Sequence, residues 1–448
     1  MSSTAPTSAT SASPASLVRR SFEGAAWSAV AYGGSQLLRF ANQLVLTRLL
    51  APEYFGLMAL VNVFLIGVNM FSDVGIGPNI VQSTRGSDRT FLNAAWTLQI
   101  VRGGLIWIVC LIGAWPFAGF YNDPRLVELV MVSGLAAVIS GFNSTKMLTA
   151  YRDMEIGRVT VLELGSQVLT VIFTIAYAAV YPSVWALVFA SLFGALVRML
   201  ASHWWLRGPR DGLSFDRESF SELVRFGRWI FIGTMIAFVS NSAASMILGK
   251  FISVAEVGIF SLAVTLANIA GQAYEQLSSK VVFPLYSKLK QQPFEQLKAQ
   301  VRKVRIILNA VFLPGLWFMA IFGQWIIELL LDPRYKSGGW ILQLFSACTI
   351  PSVVAASGPF YLAMGNSFLS MVMSAVKLVL YLGSAFVGWH VAGPKGIICG
   401  MALHSFLVYL VDVGVQRHYR ITMLRIDFVA MVASALVIGA GLRLTGQI

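Results

Sequence analysis

The stretch that decides the fold covers residues 24–50, GAAWSAVAYGGSQLLRFANQLVLTRLL, a long apolar segment with an arginine, Arg39, near its middle. The polar residues three, four or seven positions from this arginine share one face of an α-helix with it; they are Tyr32, Ser35, Gln36, Asn42 and Gln43. An arginine near the centre of a bilayer costs roughly 2.5–3.5 kcal/mol on insertion scales, so it is usually paired or functional. Two interpretations follow: Arg39 serves helix packing, or it lines a path for a negatively charged molecule.

The composition of the whole chain also indicates a membrane protein. Of its 448 residues, 57% are hydrophobic and 12% are charged, which is far from the average of a soluble globular domain. The net charge of +13 would suggest nucleic acid in a soluble protein, but membrane topology explains it better here, so no nucleic-acid partner is expected. The three cysteines and four histidines show neither a disulfide framework nor metal-ligand spacing. No catalytic signature is present, and the sequence predicts a protein that is not an enzyme and needs no cofactor.

The hydrophobic pattern predicts an all-α polytopic membrane protein. At about 20 apolar residues for each spanning helix, twelve spans can be marked: 24–50, 55–82, 91–120, 126–150, 158–181, 183–206, 227–250, 256–284, 304–331, 338–364, 367–391 and 396–416. A short apolar piece at 428–444 is a possible thirteenth helix.

Polar segments divide these spans into domains. We expect a disordered cytoplasmic tail at 1–20, a six-helix bundle at 21–206, a cytoplasmic linker at 207–226 and a second six-helix bundle at 227–416. The second bundle includes an amphipathic cytoplasmic helix at 285–305, and a C-terminal segment follows at 417–448. The two bundles are predicted to surround a central cavity in a parallel pseudo-two-fold arrangement.

The basic residues predict the orientation of the chain. On this map, 22 of the 33 lysines and arginines fall on the side of the N-terminus, 7 fall on the opposite side and 4 fall inside spans. Because cytoplasmic loops carry an excess of Lys and Arg, the N-terminus is predicted to be cytoplasmic.

A weak internal repeat accompanies the predicted bundles. Shifting the chain by 202 residues lays Trp27 on Trp229, Arg48 on Lys250 and Gly56 on Gly258 without gaps. The shift corresponds to six spans, an even number, so the two halves would have the same orientation and be related by an axis along the membrane normal.

Several spans carry a polar face with an ionisable residue, which favours a shared hydrated cavity. The candidate binding residues are Arg39, Arg102, Arg198, Lys377, Asn42 and Gln43, and the candidate acids are Asp73, Glu163 and Glu275. Arginine suits phosphate because its planar donors engage oxygens in pairs. The alternative is internal neutralisation, with Arg39–Asp73 or Lys377–Glu275 as structural pairs.

The stretch R48-L-L-A-P-E-Y-F-G56, followed by F71-S-D-V-G-I-G77, resembles the start of the Wzx-type polysaccharide flippases. These proteins belong to the multidrug/oligosaccharidyl-lipid/polysaccharide (MOP) exporter superfamily. The resemblance covers about 80 residues by motif, and the span count extends it over the chain. The multidrug branch commonly has an acidic residue in its first span, where this sequence has Arg39, and this departure favours the polysaccharide branch.

The resemblance implies a MATE-like fold and a function. A Wzx-type protein flips polyprenyl-diphosphate-linked oligosaccharide across the bacterial inner membrane by alternating access, for exopolysaccharide, capsule or O-antigen assembly. Membrane lipids, a polysaccharide polymerase and other assembly proteins would be its partners, and coupling to a proton or sodium gradient stays open. The alternative is a cation-coupled multidrug exporter of the same superfamily. Cavity arginines bind the diphosphate–sugar head group in the family, and Arg39 fits that role best here.

Overall fold

The computed structural model of the chain is helical. It describes residues 14–72, 76–83, 85–153, 155–216, 218–220, 246–277, 282, 293–355 and 367–446, and within these ranges it contains no β-strand. Its helices are α1 (Pro14–Leu49), α2 (Pro52–Phe71), α3 (Ile76–Gln82), α4 (Arg89–Tyr121), α5 (Arg125–Gly141), α6 (Lys146–Arg152), α7 (Ile156–Val180), α8 (Trp185–Trp204), α9 (Val254–Leu277), α10 (Phe294–Leu330), α11 (Gly339–Ala355), α12 (Ser367–His418) and α13 (Leu424–Leu444).

The helices confirm an all-α membrane fold. Among the described residues, nine helices are long and apolar enough to cross a membrane, or ten if the bent pair of α5 and α6 is counted as one span. The possible thirteenth helix is α13, and the predicted gap between the eleventh and twelfth spans is a break in α12 at Ala392 and Gly393. Most of the predicted seventh span lies outside the described residues.

Two boundaries differ from the sequence-based expectation. Helix α1 begins at Pro14, inside the predicted tail, where a proline at the first helical position is well tolerated. Helix α10 runs unbroken from Phe294 to Leu330, so the described part of the predicted amphipathic helix is the beginning of a spanning helix. Its apolar residues Leu297 and Val301 are buried in a cluster with Met373, Ile421 and their neighbours, where they are withdrawn from a membrane surface.

The chain divides into two compact units. The first comprises 1–46 and 67–234, and the second comprises 47–66 and 235–448. In the first unit α4 packs on α5, α5 on α8, and α7 on α8; in the second, α11 packs on α9, α10 and α12. The end of α1 and most of α2 therefore belong with the second unit, although they precede the predicted linker in the sequence.

The beginning of the predicted linker is fixed to the first unit. The Asp211 side chain, which is 2% exposed, accepts hydrogen bonds from the backbone N–H of Thr145 at 3.1 Å and from the hydroxyl groups of Ser144 and Thr145. These residues lie at the break between α5 and α6, where the chain bends by 60°. Asp211 thereby satisfies donors that the break exposes. Nearby, the N–H groups of Gly212 and Ser214 donate to side chains of α4.

The motif at 48–56, on which the family resemblance rests, is held by the loop between α10 and α11 of the same unit. The hydroxyl group of Tyr335, which is 1% exposed, donates to the carbonyl oxygen of Leu50 at 3.1 Å. Arg334 donates to the carbonyl oxygen of Arg48 at 3.2 Å. The Arg334 guanidinium also donates to Asp332 Oδ1 at 2.7 Å and thereby holds the pKa of that carboxyl below its usual value. These contacts explain why 47–66 packs within the second unit.

Replacing Tyr335 with phenylalanine is expected to lower the free energy of unfolding by about 1–2 kcal/mol, because it leaves the buried Leu50 carbonyl without its donor. The measurement is thermal unfolding of the detergent-solubilised full chain. Tyr181→Phe is the matched control, since Tyr181 is 62% exposed and should lose little. An equal fall in both variants would contradict the role given to Tyr335.

Two glycines let α2 and α9 cross at backbone distance. A Cβ atom added to Gly56 would lie 1.8 Å from the carbonyl oxygen of Val254, and one added to Gly258 would lie 2.0 Å from that of Pro52. A shift of 202 residues exchanges these two contacts, because it takes Gly56 to Gly258 and Pro52 to Val254. The contact is thus reciprocal between repeat-related positions, as a local two-fold axis requires.

A buried ion pair joins four helices of the second unit. Arg305 on α10 is 1% exposed and Asp427 on α13 is fully buried; the guanidinium Nη1 donates to the two carboxylate oxygens at 3.0 and 3.2 Å. Nη2 donates to Gln416 Oε1 on α12 at 2.9 Å and to the carbonyl oxygen of Ala355 at the end of α11. The Tyr409 hydroxyl donates to Asp427 at 3.2 Å. Both terminal nitrogens of Arg305 and both carboxylate oxygens of Asp427 are therefore hydrogen-bonded, as burial of charges requires, whereas Arg305 Nε has no hydrogen-bond partner among the described residues.

Candidate functional site

The first unit contains a polar cavity of about 330 Å³ between α4, α5, α7 and α8. Two of the predicted cations, Arg102 on α4 and Arg198 on α8, line it together with the predicted acid Glu163 on α7. Asn143 and Ser144, at the break between α5 and α6, also line it. The helix break therefore supplies polar groups at membrane depth in a place where they border a cavity, which is where irregular backbone is tolerated.

Arg102 is held against the end of α2. Its Nε donates to Ser72 Oγ at 3.2 Å, and its Nη2 donates to the carbonyl oxygen of Asn69 at 2.9 Å. The polar positions of α2 thus orient this guanidinium through a hydroxyl group and a carbonyl oxygen. Arg102 is half-buried and borders the cavity.

Arg198 and Glu163 form an ion pair on the cavity wall. Arg198 Nη2 lies 2.9 Å from Glu163 Oε1, and the same oxygen accepts a hydrogen bond from the Tyr151 hydroxyl at 3.3 Å. The two side chains are 45% and 35% exposed, so the pair is reachable from the cavity and partly screened by water.

A second cavity of about 420 Å³ adjoins the first within the same unit. It shares Ser140, Glu163 and Arg198 with the first cavity and is otherwise lined by neutral residues, including Ser35, Ser166, Gln167 and Thr170. Gln167 Nε2 donates to the carbonyl oxygen of Ser35 at 3.2 Å, which links α7 to α1. The Ser166 hydroxyl is buried and has no hydrogen-bond partner among the described residues.

Arg39 and its neighbours form a separate location on α1. Arg39 is exposed and is not a lining residue of either of these two cavities. One turn further along, Asn42 Oδ1 and Gln43 Nε2 are buried, and neither atom has a hydrogen-bond partner in the described part of the chain. Asp73, the predicted partner of Arg39, lies outside the described residues. The role predicted for Arg39 stays a prediction.

The predicted charges of the second unit are not brought together. Lys377 on α12 and Glu275 on α9 are both exposed, and the structure records no salt bridge between these two described residues. On the same helix, His404 packs edge-on against Tyr381 at 4.9 Å between ring centroids. The described part of the site is therefore concentrated in the first unit.

Among the described residues, the charged side chains that line the first cavity are Arg102, Arg198 and Glu163. Two guanidinium groups at a cavity of this size can engage an anionic group with oxygens arranged in pairs.

A family model described as "Polysaccharide biosynthesis protein" matches residues 45–337, more than half of the chain. The chain belongs to this family. The match begins within α1 and includes the motif at 48–56 as well as the loop that holds it.

Similar proteins extend the family match. The lipopolysaccharide biosynthesis protein WzxC of Escherichia coli K12 is 21% identical over 390 residues, which cover 87% of this chain and 79% of WzxC. The teichuronic acid biosynthesis protein TuaB of Bacillus subtilis 168 is 19% identical over 354 residues, with 76% and 70% of the two chains covered.

Two solved structures show the same fold. An inward-facing multidrug resistance MATE family transporter of the MOP superfamily has a TM-score of 0.68 at 15% identity, with 91% of this chain and 95% of that chain covered. The lipid II flippase MurJ in an inward closed conformation also has a TM-score of 0.68, at 10% identity, with 92% and 91% covered.

These findings confirm the resemblance to Wzx-type proteins, and the two solved structures show the fold. The chain is a multi-pass membrane protein. Sequence reasoning named Arg102, Arg198 and Glu163 because an ionisable residue in an apolar segment is conspicuous, and the structure brings these three to one cavity. It missed Tyr151 and the polar break at 142–145. The signal for the break was the run Asn143-Ser144-Thr145 inside a predicted span.

Proposed function

We propose that the chain translocates polyprenyl-diphosphate-linked oligosaccharide repeat units across the bacterial inner membrane. The direction is from the cytoplasmic to the periplasmic face, by alternating access, and the product serves assembly of exopolysaccharide, capsule or O-antigen. The N-terminus is cytoplasmic in this proposal, and a polysaccharide polymerase is a partner on the opposite face. The family match and the similarity to the lipopolysaccharide biosynthesis protein WzxC and the lipid II flippase MurJ support the general class of substrate.

One observation carries the proposal: two arginines, Arg102 and Arg198, line the same cavity in the first unit. In a membrane-embedded site of low dielectric, a guanidinium attracts a diphosphate more strongly than it does in water. Paired N–H donors match phosphate oxygens. The neutral hydroxyl and amide groups of the adjoining cavity suit the many hydroxyl groups of a sugar.

In the topology predicted from the basic residues, the site lies near the cytoplasmic side, where the substrate of the proposed reaction is assembled. On this map α7 begins and α8 ends on the cytoplasmic side. Glu163 and Arg198 each lie about two turns from that end of their helices. A lipid-linked head group assembled in the cytoplasm would therefore reach Arg198 early in its transit.

The test is flipping by the purified full chain in proteoliposomes that contain a polyprenyl-diphosphate-linked oligosaccharide. Arg102→Ala and Arg198→Ala are each expected to lower the initial rate by about ten- to a hundredfold, because a lost charge-assisted hydrogen bond costs about 1.5–3 kcal/mol. Arg39→Ala tests the remaining sequence-based candidate in the same assay.

Arg443→Ala is the control, since Arg443 is exposed near the end of α13 and lines neither cavity. Flipping at the rate of the unaltered chain in the Arg102/Arg198 double variant would contradict the proposed site. Uptake of an organic cation such as tetraphenylphosphonium, with no flipping of the lipid, would favour the multidrug alternative.

A further inference from the structure

The ion pair between Glu163 and Arg198 stands between the two cavities of the first unit. Both residues line the cavity of about 330 Å³ and the cavity of about 420 Å³. Among the described residues, the two cavities share one further lining residue, Ser140, which is uncharged. The pair is thus part of the partition between the first cavity, which Arg102 also lines, and the second cavity, whose other described lining residues are neutral.

Glu163 binds the Arg198 guanidinium through a carboxylate oxygen, which occupies a donor that a phosphate oxygen could also use. One carboxylate oxygen receives both the Arg198 Nη2 bond at 2.9 Å and the Tyr151 hydroxyl bond at 3.3 Å. A guanidinium engages a carboxylate and a phosphate through the same planar donors. An anion that binds Arg198 must therefore compete with Glu163 for those donors.

The competition is physically feasible because the pair is accessible. An ion pair whose partners are 45% and 35% exposed is weak, and breaking it typically changes an equilibrium constant by no more than a few-fold. A diphosphate carries two negative charges and several acceptor oxygens, so it offers Arg198 stronger charge-assisted bonds than one carboxylate does. The exchange is then favourable on binding and readily reversed on release.

We propose that Glu163 is an internal counter-ion that occupies Arg198 in the empty transporter and is displaced by the diphosphate of the substrate. This inference rests on the proposed function. Displacement moves the carboxylate away from the partition, so the second cavity opens to the first. The buried Ser166 hydroxyl, which has no partner among the described residues, and the Gln167 amide then border the space next to the diphosphate, where the first sugar would lie.

The experiment measures binding of inorganic pyrophosphate to the purified full chain by isothermal titration calorimetry at fixed ionic strength. Glu163→Gln removes the competing charge and keeps the shape, so pyrophosphate should bind about two- to fivefold more tightly than it does to the unaltered chain. Glu163→Asp, which withdraws the carboxylate by one methylene group, should fall between the two. Arg198→Ala should weaken binding and abolish the difference between Glu163 and its glutamine variant.

Glu155→Gln is the matched control. Glu155 forms an ion pair with Arg158 at 2.6 Å, with comparable exposure of 45% and 37%, and lines neither cavity. It should leave pyrophosphate affinity unchanged. A thermal unfolding scan of each variant verifies that the proteins compared are folded.

The outcomes separate the two ideas. Equal affinity of the unaltered chain and Glu163→Gln, with weaker binding by Arg198→Ala, would overturn the counter-ion role and leave the proposed function standing. Tighter binding by Glu155→Gln to the same degree would overturn the role as well, because the effect would then be a general change of net charge. Pyrophosphate binding that is indifferent to Arg198→Ala would overturn both the counter-ion role and the proposed site.

Discussion

Replacing Asp427 with alanine is expected to lower the free energy of unfolding by about 3–5 kcal/mol, because it leaves the buried Arg305 guanidinium without its counter-ion. The two side chains are 2% and 0% exposed, so water does not replace the lost carboxylate. The effect should spread beyond α13, since the same guanidinium also engages α11 and α12.

The measurement is the unfolding equilibrium of the detergent-solubilised full chain. Glu328→Ala is a matched control in the same unit: the Lys336–Glu328 pair has the same 3.0 Å separation, but its side chains are 66% and 41% exposed. The two pairs differ mainly in burial, so Glu328→Ala should change stability little.

A second variant separates loss of the charge pair from loss of packing. The double replacement of Arg305 with methionine and Asp427 with leucine removes both charges and restores apolar volume, so it should recover most of the stability. If the single Asp427 variant is as stable as the Glu328 variant, the network does not support the unit in the way described.

Replacing Gly258 with alanine is expected to destabilise the chain by about 1–3 kcal/mol, in spite of the helix propensity that alanine adds. The new methyl group would lie 2.0 Å from the carbonyl oxygen of Pro52. Because this neighbour is backbone, it has no rotamer that relieves the overlap, and α2 and α9 have to separate. Gly56→Ala should behave in the same way, since its Cβ would meet the carbonyl oxygen of Val254.

Gly271→Ala provides the control on the same helix. A Cβ at Gly271 meets nothing within 4 Å, so alanine there should be neutral or stabilise α9 by up to about 1 kcal/mol. Thermal unfolding in one detergent allows the three variants to be compared. Equal stability of the Gly258 and Gly271 variants would contradict the close crossing.

The spanning helices were predictable because each needs a long apolar run, and this signal is local. The break between α5 and α6 was missed because it depends on Asp211, far along the chain, to satisfy its donors. Arg305 was counted as a cytoplasmic loop charge, since burial in a network of four helices leaves no mark on sequence spacing. Tyr335 was missed for the same reason.

Part of the candidate site could be predicted and part could not. A polar face shows which side of a helix carries Arg102, Arg198 or Glu163, but it does not show which faces meet. The pairing of Arg198 with Glu163 depends on how α7 packs against α8. The alternative pairing of Lys377 with Glu275 rested on equally plausible spacing, and the structure records no salt bridge between these two described residues.

The reciprocal crossing of α2 and α9 has the geometry of an isologous interface, in which position i meets position j on one side and the equivalent of j meets the equivalent of i on the other. In a homodimer such an interface has to withstand dilution in the membrane. Here both sides belong to one polypeptide, so the association is intramolecular and benefits from a high effective concentration. A contact made by two glycines, with little side-chain surface of its own, can therefore persist.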